Sequence, residues 1–225
     1  MESRIAYELG RLREEIPAGV RLVAVSKFKP VDDIRAAYAA GQRLFGESRV
    51  QELLEKIPEL PDDIKWHFIG HLQTNKVRQL MGKVSLIESV DSEKLIRFID
   101  AESVRAGVTT NILMQIHVAQ EETKFGFSPE EFLSYFREGK FTELQAVHIC
   151  GVMGMASNTD DMSRVRRDFA EIYRLYREVA DDETLGLRGF DTVSMGMSGD
   201  WRIAVEEGAD MIRIGSRIFG ERNYN

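Results

Sequence analysis

The 225-residue sequence has few of the residues that mark disulfides, linkers or domain boundaries. Its one cysteine, Cys150, lies inside the apolar run from Val147 to Val152, which excludes a disulfide framework and predicts a small core side chain in a reducing compartment. Five prolines are scattered along the chain, and there is no Gly/Ser-rich stretch. We therefore expect residues 1–225 to form one domain.

Long apolar runs and basic patches are also absent. The longest stretch without a charged residue, Leu144 to Thr159, has 16 residues and several polar side chains, whereas a membrane-spanning helix needs roughly 18 or more apolar residues. The amino terminus is charged from Glu2 onward, unlike a signal peptide. A net charge of −7 argues against a nucleic-acid surface. These absences predict a cytoplasmic protein with no membrane or nucleic-acid partner.

Apolar runs alternate with helical periodicity eight times along the chain. The predicted strands are residues 22–27, 44–47, 66–70, 86–90, 112–118, 146–155, 192–197 and 211–215. Eight such units in a chain of this length favour a (β/α)8 TIM barrel over an open sheet, and no Gly-x-Gly-x-x-Gly or Walker turn is present. An amphipathic helix carrying Ile5, Leu9, Leu12 and Ile16 precedes the first strand, and we expect it to close the barrel bottom.

Lys27 is the last residue of the first predicted strand, at the end where barrels place their active sites. An amine held there can form an imine with an aldehyde. A free lysine has a pKa near ~10.4, so its nucleophilic form costs about 4.6 kcal/mol at neutral pH unless burial and the nearby Lys29 lower that pKa. A lysine that merely extends from a strand end into water is the common alternative.

Strands seven and eight end in glycines and hydroxyls. We expect a helix to begin near Ser198, so that backbone N–H groups around Gly199 can hold an anion. Gly215 and Ser216 follow strand eight, where barrels often bind phosphate. Arg213 alternates with Gly215 and should face the barrel mouth, where either an inward carboxylate or a ligand balances its charge. A phosphorylated ligand fits both strand ends.

The histidines give little support for a metal site. His67 and His71 are four residues apart, which would suit zinc on a helix, but Phe68 to Gly70 between them is typical of a strand. We therefore expect no metal ligands. No histidine neighbours a serine or cysteine nucleophile in the sequence, although a triad assembled in space stays open.

Six segments, taken in order, resemble the pyridoxal phosphate homeostasis proteins, relatives of the N-terminal barrel of alanine racemase. They are residues 24–30, 45–52, 66–76, 151–155, 194–198 and 213–220. The resemblance implies that Lys27 carries pyridoxal 5′-phosphate as a Schiff base. It also implies that Ser198, Gly215 and Ser216 hold the phosphate and that Arg213 faces the pyridine nitrogen. A guanidinium cannot give that nitrogen a proton, which weakens the electron sink.

Three positions bear on how closely the pattern is followed. Ser48 stands where the family usually has asparagine, which removes an amide contact on that side of the cofactor. Phe28 stands where the family often has threonine. Lys124 matches another family lysine near the barrel mouth, and a solvated loop lysine is the alternative reading.

The resemblance implies a carrier that takes part in pyridoxal phosphate homeostasis without substantial racemase activity, with pyridoxal phosphate-dependent apoenzymes as possible partners. We expect a monomer. The alternatives are an amino acid racemase and an imine-forming aldolase. The racemases that share this barrel carry a second, all-β domain, whereas this sequence stops at Asn225. Visible absorption by a bound cofactor would separate the carrier from the aldolase.

Overall fold

The structure is a computed structural model that describes residues 3–118 and 125–221. These residues form a closed barrel of parallel strands, in which each strand pairs with the next and β1 pairs with β8. The strands are β1 Arg21–Val25, β2 Leu44–Glu47, β3 Lys65–Phe68, β4 Leu86–Val90, β5 Thr110–Ile116, β6 Val147–Gly154, β7 Thr192–Ser194 and β8 Met211–Ile214. The predicted (β/α)8 barrel is confirmed.

Helices cover the outside of the barrel. They are α1 Arg4–Glu15, α2 Val31–Ala39, α3 Val50–Lys56, α4 Val77–Leu80, α5 Glu93–Ala106, α6 Pro129–Arg137, α7 Met162–Ala180, α8 Trp201–Glu206 and α9 Ser216–Phe219. A capping box of Ser128 and Glu131 begins α6. Gly107 ends α5 in the left-handed conformation, φ 68°, as a C-terminal cap requires.

The amphipathic helix at the amino terminus exists, but its predicted position across the barrel bottom is wrong. Leu9 and Leu12 are fully buried in the layer between the strands and the helices. Helix α1 packs against α2 and α9, and Glu15 forms ion pairs with Arg202 of α8 and Arg217 of α9. Since the helix after β8 has only one turn, α1 occupies the place in the outer ring that this helix leaves uncovered.

Two apolar clusters divide the core. The larger one lies between the sheet and the helices, and its strand residues alternate with those of a small cluster inside the barrel. The inner cluster consists of Val23, Leu86, Leu113, Met153 and Met211, with Cys150 packed against it. Burial raises the pKa of the Cys150 thiol to about 11. Nearer the carboxyl ends of the strands, the buried polar residues His67, Glu88, Ser194 and Arg213 lie beneath the barrel mouth.

The helices of the described ranges are short or expose a polar face. None of them combines the length and the apolar character that crossing a bilayer requires. The longest, α7, has 19 residues and buries only one face, which includes Val165, Phe169 and Ile172. Met162, the first residue of the helix, is 46% exposed.

Candidate functional site

All six residues predicted to hold the ligand line one cavity at the barrel mouth. The cavity has a volume of ≈ 310 Å³ and lies at the carboxyl ends of β1, β7 and β8. Its lining consists of Lys27, Ser198, Gly199, Arg213, Gly215 and Ser216, together with Val25, Lys29, Ile69, Met155, Met197 and Gly220. The structure places these six residues together, whereas their roles toward a ligand stay predictions.

Lys27 is half-buried and lies two residues beyond the end of β1. Lys29 reaches the same cavity, and its Nζ donates hydrogen bonds to the carbonyl oxygens of Phe219, Gly220 and Glu221 at 3.1, 3.1 and 2.8 Å. These carbonyls fix the second ammonium at the cavity wall. The nearby cation that the sequence predicts is therefore present.

A buried ionic cluster supports the turn that carries Lys27. The Nζ of Lys56 donates to Glu47 Oε1 at 2.7 Å, to Glu52 Oε1 at 2.6 Å and to the carbonyl of Ser26 at 2.9 Å. The Ser26 hydroxyl donates to Glu47 Oε1 at 2.6 Å. Burial raises the pKa of Glu47, and Lys56 acts in the opposite direction. Sequence reasoning missed this cluster, because Lys56 and Glu52 on α3 have the pattern of a solvated helix face.

The residue after Lys27 has an unusual backbone. Phe28 has φ 62°, in the left-handed region that non-glycine residues rarely adopt. Its N–H donates to Glu52 Oε1 at 2.6 Å, and the guanidinium of Arg49 lies 4.5 Å from the centre of its ring. The carboxylate of Glu52 therefore joins the Phe28 turn to the ammonium of Lys56.

The turn after β7 differs from its prediction in one respect. Helix α8 begins at Trp201 rather than near Ser198, so Ser198 and Gly199 belong to the preceding turn. Asp200 closes that turn by accepting the N–H of Met197, and burial raises the pKa of its carboxyl. Within residues 3–118 and 125–221, the N–H groups of Ser198, Gly199 and Ser216 donate no hydrogen bond. These groups remain available to a ligand.

Beneath the cavity, polar side chains replace the apolar interior of the barrel. His67, Glu88, Ser194 and Arg213 are each at most 5% exposed. Arg213 Nη1 donates to the Ser194 hydroxyl at 2.6 Å, and that hydroxyl donates to Glu88 Oε2 at 2.6 Å. Burial lowers the pKa of Arg213, which the charge of Glu88 opposes. Burial also acts to raise the pKa of Glu88, but His67, Arg213 and Ser194 together hold it below its ordinary value.

The other candidates from the sequence are not part of the cavity lining or lie outside the described ranges. His67 contacts Glu88, and His71 contacts Asp91 at 2.8 Å. In the described part of the chain, no group of three or more His, Cys, Asp or Glu side chains is placed to hold a metal ion. Ser48 is half-buried, and its carbonyl lies against Gly70, where an added Cβ would be 2.2 Å from the oxygen. Lys124 lies outside the described residues.

Comparison with known proteins gives consistent matches over the whole chain. The family model for the alanine racemase N-terminal domain matches residues 2–223. The sequence is 40% identical to the pyridoxal phosphate homeostasis protein of Aquifex aeolicus, over 99% of this chain and 97% of that protein. It is 38% identical to the protein of the same name from Mus musculus, over 100% of this chain and 85% of that protein.

Solved structures show the same architecture. PipY of Synechococcus elongatus PCC7942, solved with PLP bound, has a TM-score of 0.87 and 36% identity, over 96% of this chain and 100% of that one. Alanine racemase from Bartonella henselae has a TM-score of 0.75 at 18% identity, over 97% of this chain and 59% of the racemase. At that identity the racemase shares the fold alone.

Proposed function

The chain belongs to the pyridoxal phosphate homeostasis protein family, built on the alanine racemase N-terminal domain, and we propose that its mouth cavity binds pyridoxal 5′-phosphate. The observation that carries the proposal is the convergence of two amines, one guanidinium and two hydroxyls on a single cavity. A relative at 36% identity, PipY, has been solved with PLP bound. The cavity of ≈ 310 Å³ lies at the lower end of the range that small-ligand pockets occupy.

The groups present fit the chemistry of this cofactor. The hydroxyls of Ser198 and Ser216 and the unbonded N–H groups beside them are donors suited to a phosphate. An added Cβ at Gly199 would meet no protein atom within 4 Å, so the packing of the protein leaves space around this peptide. Arg213 supplies a cationic donor between these groups and the barrel floor.

When bound, the cofactor supplies an aldehyde carbon that a primary amine can attack. Lys27 provides that amine, and we propose that it holds the cofactor covalently. The guanidinium of Arg213 has only N–H donors. It would donate a hydrogen bond to the lone pair of the ring nitrogen and would not give that nitrogen a proton. A weak electron sink favours holding and releasing the cofactor over amino acid chemistry. The proposed role is therefore that of a carrier in pyridoxal phosphate homeostasis, without substantial racemase activity.

The proposed carrier role comes with a proposed domain organisation, oligomeric state and cellular location. We take residues 1–225 as one cofactor-binding domain that acts as a monomer in the cytoplasm. Pyridoxal phosphate-dependent apoenzymes are the proposed recipients of the cofactor. The relatives' shared name, pyridoxal phosphate homeostasis protein, supports a function in cofactor supply.

Borohydride reduction tests the proposal directly. The purified protein mixed with pyridoxal phosphate should absorb visible light, and reduction should fix a phosphopyridoxyl mass on the peptide that contains Lys27. Lys27→Ala should abolish the label, whereas Lys29→Ala, which removes the neighbouring amine, should keep it on Lys27. Label found mainly on Lys29 or Lys124 would contradict the assignment. Absence of any cofactor absorption would favour an aldolase.

A further inference from the structure

The floor of the cavity is a single connected polar layer. It lies between the apolar interior of the barrel, which includes Val23 and Met211, and the mouth. Val23 pairs with Arg213 across the β1–β8 seam, and Arg213 lines the cavity itself. Glu88 follows Leu86 by two positions on β4 and therefore faces the same side of the sheet, into the barrel.

Glu88 is at the centre of this layer, and both of its carboxylate oxygens are engaged. Oε1 lies 2.7 Å from His67 Nδ1, and Oε2 accepts the Ser194 hydroxyl at 2.6 Å. The side chain has no exposed surface. A fully buried carboxylate is costly unless it is paired and hydrogen-bonded, so this arrangement needs the charge of Arg213 nearby.

Arg213 depends on this layer for its orientation. Nη1 donates to Ser194 at 2.6 Å and Nη2 donates to the carbonyl of Gly154 at 2.9 Å, whereas the direct distance from Nη1 to Glu88 Oε2 is 3.5 Å. The guanidinium is therefore connected to its counter-charge mainly through a hydroxyl that accepts from one group and donates to the other. A guanidinium has five N–H donors, and these contacts leave others for the cavity.

We propose that Glu88 is the positioning residue for Arg213, acting through Ser194 so that the guanidinium presents a donor to the ring nitrogen of the bound cofactor. This inference rests on the proposed function. It assigns Glu88 no contact with the ligand. On this proposal, the buried layer causes the protein to prefer a ligand whose ring carries a nitrogen acceptor. Without the fixed counter-charge of Glu88, the guanidinium of Arg213 can reorient toward other acceptors, such as the ligand's phosphate.

The test compares two ligands with the Glu88→Gln variant. One is pyridoxal phosphate, and the other is its analogue with C–H in place of the ring nitrogen. We expect wild-type protein to prefer pyridoxal phosphate and Glu88→Gln to reduce that preference by about tenfold, the size of effect of one charge-assisted hydrogen bond. Ser194→Ala should reproduce the loss, because it removes the connecting hydroxyl and keeps both charges. The absorption band of the bound cofactor should shift in the same variants.

Glu47→Gln is the matched control, because Glu47 is also a buried carboxyl but bonds Lys56 on the outer side of the sheet. It should change both affinities by the same factor. Equal loss of both ligands in Glu88→Gln, or an unchanged preference, would overturn the proposal and leave Glu88 a structural residue. If Glu88→Gln does not fold, Ser194→Ala decides by the same criterion. Wild-type protein that binds both ligands equally would also overturn it, whereas binding of neither would contradict the proposed function instead.

Discussion

Phe28 adopts a backbone conformation that costs energy directly beside the proposed attachment point. A left-handed non-glycine residue costs roughly 1–2 kcal/mol. The N–H of Phe28 donates to the carboxylate of Glu52 at 2.6 Å, and a hydrogen bond to a charged group contributes about 1.5–3 kcal/mol. The bond offsets the strain, and the carboxylate is in turn held by Lys56. The turn that follows Lys27 is therefore held by residues that do not line the cavity.

The hydroxyls of Ser198 and Ser216 should contribute to the binding of the ligand's phosphate group and little to the binding of the rest of the ligand. Each charge-assisted hydrogen bond contributes roughly 1.5–3 kcal/mol, so the double variant Ser198→Ala, Ser216→Ala should weaken pyridoxal phosphate binding at least about tenfold. Unphosphorylated pyridoxal should be much less affected. Titration calorimetry with both ligands measures the two losses.

The double variant has a control elsewhere on the surface. Ser134→Ala on α6 removes a hydroxyl that donates to Glu130 and does not line the cavity. It should leave both affinities unchanged. Equal losses for pyridoxal and pyridoxal phosphate in the double variant would show that the phosphate does not sit between β7 and β8.

At the scale of elements, strand β6 depends on one glycine. The register between β5 and β6 shifts after Ile112, and Gly151 takes up the irregularity with φ 146°. A Cβ at this position would lie 1.9 Å from the carbonyl oxygen of Thr192 on β7. Gly151→Ala should therefore lower the free energy of unfolding by roughly 3 kcal/mol or more, through both the clash and the backbone strain. Urea unfolding measures this loss.

A glycine in the left-handed helical region, with free space around it, gives the comparison. Gly107 caps α5 with φ 68°, and an added Cβ would meet no atom within 4 Å. Gly107→Ala should cost about 1 kcal/mol, the penalty of the left-handed conformation alone. Similar losses in the two variants would mean that the strand adjusts to the extra atom.

The number and order of the strands were predictable from the sequence because each buried strand is a short apolar run. The ends were less so. Strand β7 was expected to reach Met197 but ends at Ser194, since Gly196 leaves the extended conformation with φ 96°. A single sequence gives no measure of that dihedral angle. For the same reason, α8 was expected to begin near Ser198 but begins at Trp201.

The cavity lining was predictable because the carboxyl ends of parallel strands meet at one mouth, so Lys27 and Ser216 come together whatever the packing details. The polar layer beneath the cavity was not predictable, since the contact of Glu88 with Ser194 depends on strand register around the whole barrel. One signal was present in the sequence. Glu88 interrupts the apolar strand Leu86–Val90, and a charge in such a run requires a buried partner.

For the molecule as a whole, we predict little amino acid chemistry. In the described chain, the ionisable side chains lining the cavity are Lys27, Lys29 and Arg213, and none is a carboxyl, imidazole or phenol that could serve as an acid opposite Lys27. A second cavity of ≈ 690 Å³ adjoins the first and shares Met155, Met197 and Gly199 with it. Positioned acid–base help is worth about a hundredfold to ten-thousandfold.

The protein with pyridoxal phosphate should therefore exchange the α-proton of alanine in deuterated water no faster than free pyridoxal phosphate does, as followed by NMR. Lys27→Ala gives the background rate of the polypeptide without its proposed attachment point. Robust exchange that disappears in this variant would make the protein a compact enzyme rather than a carrier.

The cavity should form late in folding, because it lies at the seam between β1 and β8. Lys27 follows the first strand, whereas Ser216 follows the last, and the contacts between these strands span almost the entire sequence. Contacts of such high sequence separation form late, because the entropy of closing the loop opposes them. A nascent chain on the ribosome should thus acquire the cofactor only after β8 has emerged. Two stalled chains, one with β8 still inside the ribosome and one in which an added carboxyl-terminal linker lets β8 emerge, can be treated with pyridoxal phosphate and borohydride. Only the second should carry the label on Lys27.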